Sequence, residues 1–162
     1  RPPGHEAPHP VIVDFIHASY FRSEPGGLTL AGLVDPAEAN ALVNPDHYNE
    51  QVGSDFVLDV GERLVRRYPA MELSQSTGGY AGLYAVTPDW HPVVDELPAG
   101  SGFFICAGFS GHGFKLGPAV GVMAADMLTG QSQPAFDPHL FRFNRYTENA
   151  PVRGQYEYSI AG

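Results

Sequence analysis

Residues 103–128 dictate more of the architecture than any other stretch of this sequence. An apolar run, Phe103-Phe104-Ile105-Cys106-Ala107, leads into Gly108-Phe109-Ser110-Gly111-His112-Gly113-Phe114-Lys115, and a helix-like run follows from Pro118 to Leu128. A chain can pass that sharply from strand to helix only through residues that tolerate unusual backbone angles, which is what three glycines in six positions supply. Proline is tolerated in the first helical turn, so the helix is expected to begin between Phe114 and Pro118. Lys115 is the sole lysine, the other eight basic residues being arginines. A glycine turn that ends in one isolated cation is a place where backbone and charge can approach a ligand closely.

The rest of the composition agrees with an architecture of short elements. A chain of 162 residues fits one domain with a real core. The 15 prolines and 19 glycines favour short strands and turns over a helical bundle. The net charge is −9, and no basic cluster occurs. Nucleic acid and anionic membrane surfaces are therefore disfavoured as partners. The apolar runs are too short to span a bilayer, and nothing points to secretion, so a cytoplasmic setting is expected. One cysteine permits no internal disulfide, and Cys106 reads as a small core residue. Residues 1–10 read as a linker-like terminus.

Along the chain, residues 11–16 and 19–24 read as strands. Pro25-Gly26-Gly27 is a turn, and residues 28–34 complete a hairpin. Residues 35–49 are polar and proline-punctuated, a loop with room for one helical turn. Residues 54–68 form a helix, with Phe56, Val60, Leu64 and Tyr68 recurring every fourth position. Ser54 or Asp55 can cap it, Arg63, Arg66 and Arg67 suit its C-terminal end, and Pro69 stops it. Residues 73–86 read as one long, bent strand. Thr87-Pro88-Asp89 is a turn, and Val93-Val94 begins another strand. The second helix ends at Thr129-Gly130, and the residues from Pro134 on are expected to lie over the surface. The predicted class is α+β, with a largely antiparallel or mixed sheet and two main helices.

Several motifs are approached and missed. His5-Glu6-Ala7-Pro8-His9 matches H-E-x-x-H in letters only, because Pro8 sits where a zinc-binding helix would need its interior; no metal site is expected. Gly108-Phe109-Ser110-Gly111-His112 nears the nucleophile elbow G-x-S-x-G, but its fifth residue is histidine and no Asp/Glu-then-His order follows convincingly. A serine hydrolase is therefore the weakest reading of the turn. Gly111 to Leu116 fails G-x-G-x-x-G at its last position, and no Walker A motif occurs. Gly113, Gly117 and Gly121 share one helix face, which predicts close helix–sheet packing or the approach of a flat ligand. His17, His47 and His139 lack ligand-like spacing and read as surface or structural residues.

Two segments together resemble a known family. Gly82-Leu83-Tyr84-Ala85-Val86-Thr87-Pro88-Asp89 with its following Pro-Val-Val strand, and Ala107 to Lys115, are similar to the C-terminal region of the FAD-dependent D-amino-acid-oxidase-like oxidoreductases. Monomeric sarcosine oxidase and related N-methyl amino acid oxidases are the nearest in kind. The likeness covers roughly residues 10–147, and Tyr20-Phe21-Arg22 to Gly32 resembles the substrate-domain hairpin. It implies that residues 11–147 are the C-terminal, flavin-covering portion of the substrate domain and that residues 148–162 are a tail. The FAD-binding Rossmann domain would be a missing N-terminal half, needed as a partner. The resemblance further implies FAD as cofactor, with Gly108, Ser110, Gly111, His112, Gly113, Phe114 and Lys115 at the flavin and Lys115, Tyr84 and His112 as catalytic candidates. Some members tether FAD through a cysteine where this chain has Gly82, so a non-covalent flavin is expected there. The implied reaction takes hydride from the carbon beside the nitrogen of a small amine or N-methyl amino acid to the flavin, and electrons then pass to oxygen. The contrasting expectation is a binding or interaction module, inert without a flavin-binding half.

Overall fold

The computed structural model describes residues 8–35, 41–131 and 137–154. His5 and Glu6 of the H-E-x-x-H match, part of the loop at 36–40, and residues 155–162 of the tail lie outside the described residues. The chain divides into two compact units, Arg1–Leu83 and Tyr84–Gly162.

The first unit is a three-stranded antiparallel sheet with one helix. Strands β1 (Ile12–Asp14), β2 (Ser19–Glu24) and β3 (Leu28–Leu33) lie in chain order. The register places Ile12 opposite Phe21 and Phe21 opposite Ala31. Alternation therefore sends Ile12, Phe21 and Ala31 to one face. Helix α1 (Ser54–Arg67) supplies Leu64 to that face, and Phe21, Leu64 and Met71 form the core, flanked by Ile12, Ala31, Val65 and Tyr68. His9 also packs there, edge-on to both Phe21 and Tyr68, with its Nε2 3.0 Å from Thr29 Oγ1. His17 has a structural partner as well, its Nδ1 lying 2.8 Å from Asp14 Oδ2. Gly53 occupies the N-cap of α1 with no side-chain cap, so neither Ser54 nor Asp55 plays the expected capping role.

The second unit contains the hairpin ribbon of β4 (Val93–Glu96) and β5 (Phe104–Ala107), followed by helix α2 (Gly113–Thr129). Every strand pairing among the described residues is antiparallel. Gly130 closes α2 at φ 69°, its N–H and the next reaching back to the last carbonyls.

Four expectations fail for identifiable reasons. Residues 73–86 form no strand; they join neighbours at isolated bonds, Ala81 N–H to Glu50 O at 2.8 Å and Ser110 N–H to Ala85 O at 3.1 Å. Gly78 at φ 111° interrupts any ladder there. Cys106 is exposed rather than core, on a strand that pairs, among the described residues, with β4 alone. Helix α2 starts one residue early, at Gly113, which leaves Pro118 inside the helix. Finally, a methyl group at Gly117 or Gly121 would meet no atom within 4 Å, so close helix–sheet packing does not explain these glycines.

Candidate functional site

The site grows out of the β5–α2 connection in the second unit. Gly108, Ser110 and Gly111 all take left-handed backbone angles, at φ 69°, 49° and 84°. Two of these positions fit glycine, and close neighbours also exclude a side chain. A methyl at Gly108 would run into Thr87 Cγ2, and one at Gly111 would lie 2.9 Å from the Tyr84 ring. At Gly113 a methyl would lie 3.1 Å from Phe109 Cβ, a tight contact that would need a small shift. Gly108 and Gly111 are thus demanded by their own chain.

Ser110 is the exception, a non-glycine residue at positive φ, and its side chain explains why. It is 1% exposed. Its Oγ accepts from Thr87 N–H at 3.2 Å and lies 3.4 Å from the Gly108 carbonyl, while its N–H donates to Ala85 O. Ser110 is therefore a two-point clamp joining the turn to residues 85–87. A hydroxyl so placed is not a nucleophile, and the elbow-like letters do not mark a serine hydrolase. Any contribution of Ser110 to a cofactor would come through the backbone it holds.

Beyond Ser110 the turn opens onto the start of α2. His112 is the N-cap residue and no side chain caps the helix. Helix geometry leaves the first-turn N–H groups of Gly113, Phe114 and Lys115 without i−4 acceptors. Phe114 is fully exposed and Lys115 is exposed beside it. His112, by contrast, is 4% exposed. Burial pushes its imidazole pKa down, the Lys115 charge pushes in the same direction, and hydrogen bonding to the backbone of Phe109 and Ser110 opposes them. The ring is held toward its neutral form. Tyr84 is half open to solvent, and its ring occupies the space that a side chain at Gly111 would need. Gly82 has open space at its missing side chain. The structure thus gathers Tyr84, Ser110, His112 and Lys115 at one connection, with His112 and Ser110 inside and Phe114 and Lys115 outside.

Behind the turn lies a polar network that the sequence did not disclose. Arg145 is 0% exposed. Its guanidinium makes a two-pronged pair with Asp89, Nε to Oδ2 at 2.8 Å and Nη2 to Oδ1 at 2.9 Å. It also donates to the carbonyls of His91, Phe141 and Arg142 and to the Tyr146 hydroxyl. Val152 N–H adds a 2.9 Å bond to Asp89 Oδ2. Burial acts to raise the Asp89 pKa, but the Arg145 hydrogen bonds, the Val152 and His91 backbone donors and the Arg145 charge outweigh it. The carboxyl stays far below the usual range. Residues 137–152 are thus not a mere surface covering: they insert an arginine into the unit. An arginine amid aromatic residues, Phe141-Arg142-Phe143-Asn144-Arg145-Tyr146, was the only available signal, and no spacing links it to Asp89.

The fold has a counterpart among solved structures. L-proline dehydrogenase from P. horikoshii superposes with a TM-score of 0.68 over 88% of this chain and 36% of its own, at 23% identity. The fold class is therefore α+β, that of the D-amino-acid-oxidase-like proteins. The FAD dependent oxidoreductase family model matches residues 1–127, and the chain belongs to that family. FAD-dependent oxidoreductase domain-containing protein 1 is 34% identical over 89% of this chain in Bos taurus and 32% over 88% in Xenopus laevis, covering 29% and 28% of those proteins. N-methyl-L-tryptophan oxidase of Citrobacter koseri is 43% identical over 43% of this chain and 18% of its own length. The chain thus spans less than a third of the length of the curated relatives it matches. Among the described residues, no helix is long and apolar enough to cross a membrane.

Proposed function

We propose that this chain is the C-terminal, flavin-covering portion of an FAD-dependent oxidoreductase that oxidises the C–N bond of a small amine or N-methyl amino acid. One observation carries the reading. In a member of an FAD-dependent family, an uncapped helix N-terminus and the sole lysine stand exposed together at the end of a glycine turn. Such an end favours an electron-rich ring edge. The fit is chemical as well as geometric: the helix start carries no side-chain cap, Phe114 and Lys115 are exposed there, and Gly108 and Gly111 are closed by the protein itself.

FAD, when bound, supplies the hydride acceptor and the route for electrons onward. The chain's own groups then have distinct tasks. Backbone N–H groups of Phe114 and Lys115 stabilise negative charge at the ring edge they meet. The Lys115 ammonium favours anionic species beside it, a substrate carboxylate or oxygen as it takes up charge. His112, held neutral and buried, shapes the base of the site without adding a second cation. The Tyr84 ring packs beside Gly111 and keeps that position for glycine.

The test uses the protein carrying this chain together with an FAD-binding half. Anaerobic mixing with N-methyl amino acids should bleach the flavin, and the absence of bleaching by any small amine would sink the substrate assignment. Lys115→Met should slow flavin reoxidation; an unchanged rate removes its oxygen role. A preparation that never takes up FAD would favour an interaction module instead.

A further inference from the structure

The bonds behind the turn form a continuous path from Arg145 to the helix start. Arg145 Nη2 donates to the His91 carbonyl at 2.8 Å, and Thr87 Oγ1 donates to that same carbonyl at 2.7 Å. Thr87 Oγ1 also lies 3.3 Å from Asp89 Oδ1. The guanidinium therefore holds loop 87–91 at Asp89 and His91, and the Thr87 hydroxyl closes the loop onto the same two residues. Thr87 N–H then donates to Ser110 Oγ, and Thr87 Cγ2 fills the space that a side chain at Gly108 would need. Ser110 sits at the left-handed angle on which the direction of the next residues depends.

We infer that Arg145 and Thr87 are positioning residues for the glycine turn: Arg145 fixes loop 87–91, and Thr87 transmits that fixation to Ser110 and so to the aim of the α2 N–H groups. Neither residue needs to touch a ligand. A pair that merely stapled the fold would need no third party, yet here the threonine hydroxyl and the arginine share one acceptor and the threonine backbone holds the turn. The functional meaning rests on the flavin reading; the mechanical claim does not.

Thr87→Val removes the hydroxyl and keeps shape, and Thr87→Ser restores it. In amide exchange on this chain, the Ser110 and Thr87 N–H groups should exchange about tenfold faster in T87V, the effect of losing one hydrogen bond of roughly 1.4 kcal/mol. The β4–β5 ladder should keep its rate, and T87S should recover most of the protection. Arg145→Lys should give an intermediate result, since it keeps charge but loses the planar fork. Equal acceleration throughout the second unit, or no change at Ser110, would overturn the inference. Tyr146→Phe serves as the gentler companion should Arg145→Lys fail to fold. In the FAD-loaded protein, T87V should move the flavin midpoint potential to a more negative value and T87S should return it. A protein that takes no FAD defeats the flavin reading while the exchange rates still decide the positioning claim.

Discussion

The interiors of the two units of this chain differ in what fixes their geometry. The first is built around an apolar cluster: Phe21, Leu64 and Met71 meet between a sheet and a helix, and of its described charged groups only Asp14 is buried, paired with His17 and Arg67, which are more open. The second buries Val93, Val94 and Met123, but its most enclosed side chains include Arg145 and Ser110. Large apolar side chains are left exposed in both units, Phe15, Ile16 and Leu73 among them in the first. Phe114, Val122 and Leu128 are exposed on α2, as are Phe103, Tyr84 and Val86. Hydrophobic burial is non-directional and sets a shape loosely, whereas a buried forked ion pair tolerates one geometry. The difference teaches that the interior of the second unit is fixed by a directional polar contact behind the turn, where the first relies on an apolar cluster.

The sharpest way to break this comparison is Arg145→Met. It strands a buried carboxylate, and losing one partner of such a pair costs about 3–5 kcal/mol. Residue-resolved exchange in denaturant should show the β4–β5 ribbon losing protection while β1–β3 keeps its own. Leu64→Ala is the mirror experiment. It should cost about 2–5 kcal/mol by opening a cavity, read as lost protection in β1–β3 with the Ser110 amide unaffected. If either change melts both units alike, the contrast is wrong.

Acid distinguishes the units more gently. His112 has a lowered folded pKa, so its contribution to stability is full above the ordinary value of about 6.5 and is lost as pH falls from there through the folded pKa. Asp89 is likewise depressed, so its contribution is present above the usual carboxyl range and is lost only in stronger acid. The second unit should therefore weaken first on mild acidification, and His112→Asn should flatten that slope in a pH series of urea melts. Least of all, Cys106→Ser should leave stability within about 0.5 kcal/mol, because the side chain is exposed. Thiol labelling of the native chain checks the same point.

Legibility in the sequence followed the range of the physics involved. The 19–33 hairpin and both helices were readable because alternation, four-residue recurrence and terminal Gly or Pro are local signals. The glycine turn was readable for the same reason, and so was its likeness to a flavoprotein family. Residues 73–86 misled because apolar and aromatic content suggests a strand, yet a strand exists only with a partner beside it. Cys106 misled because an apolar run reports hydrophobicity and not which edge stays uncovered. Ser110 resembled a nucleophile since letters cannot show that a hydroxyl is buried and bonded. The Arg145–Asp89 pair spans 56 residues, and no periodicity encodes such a distance.

The open spaces at Gly117 and Gly121 have a consequence for how firmly the turn can aim. Each glycine costs a helix about 1 kcal/mol relative to alanine, and an interior proline costs more. Helix α2 carries Gly117, Gly121 and Pro118 within five residues. Its order is thus lent by its surroundings. A molecule that covered the exposed side of α2 would stabilise the helical state by mass action, and the first-turn N–H groups belong to that same state. Rigidity at the turn and occupancy of the helix face are in that sense a single equilibrium, tuned from two ends.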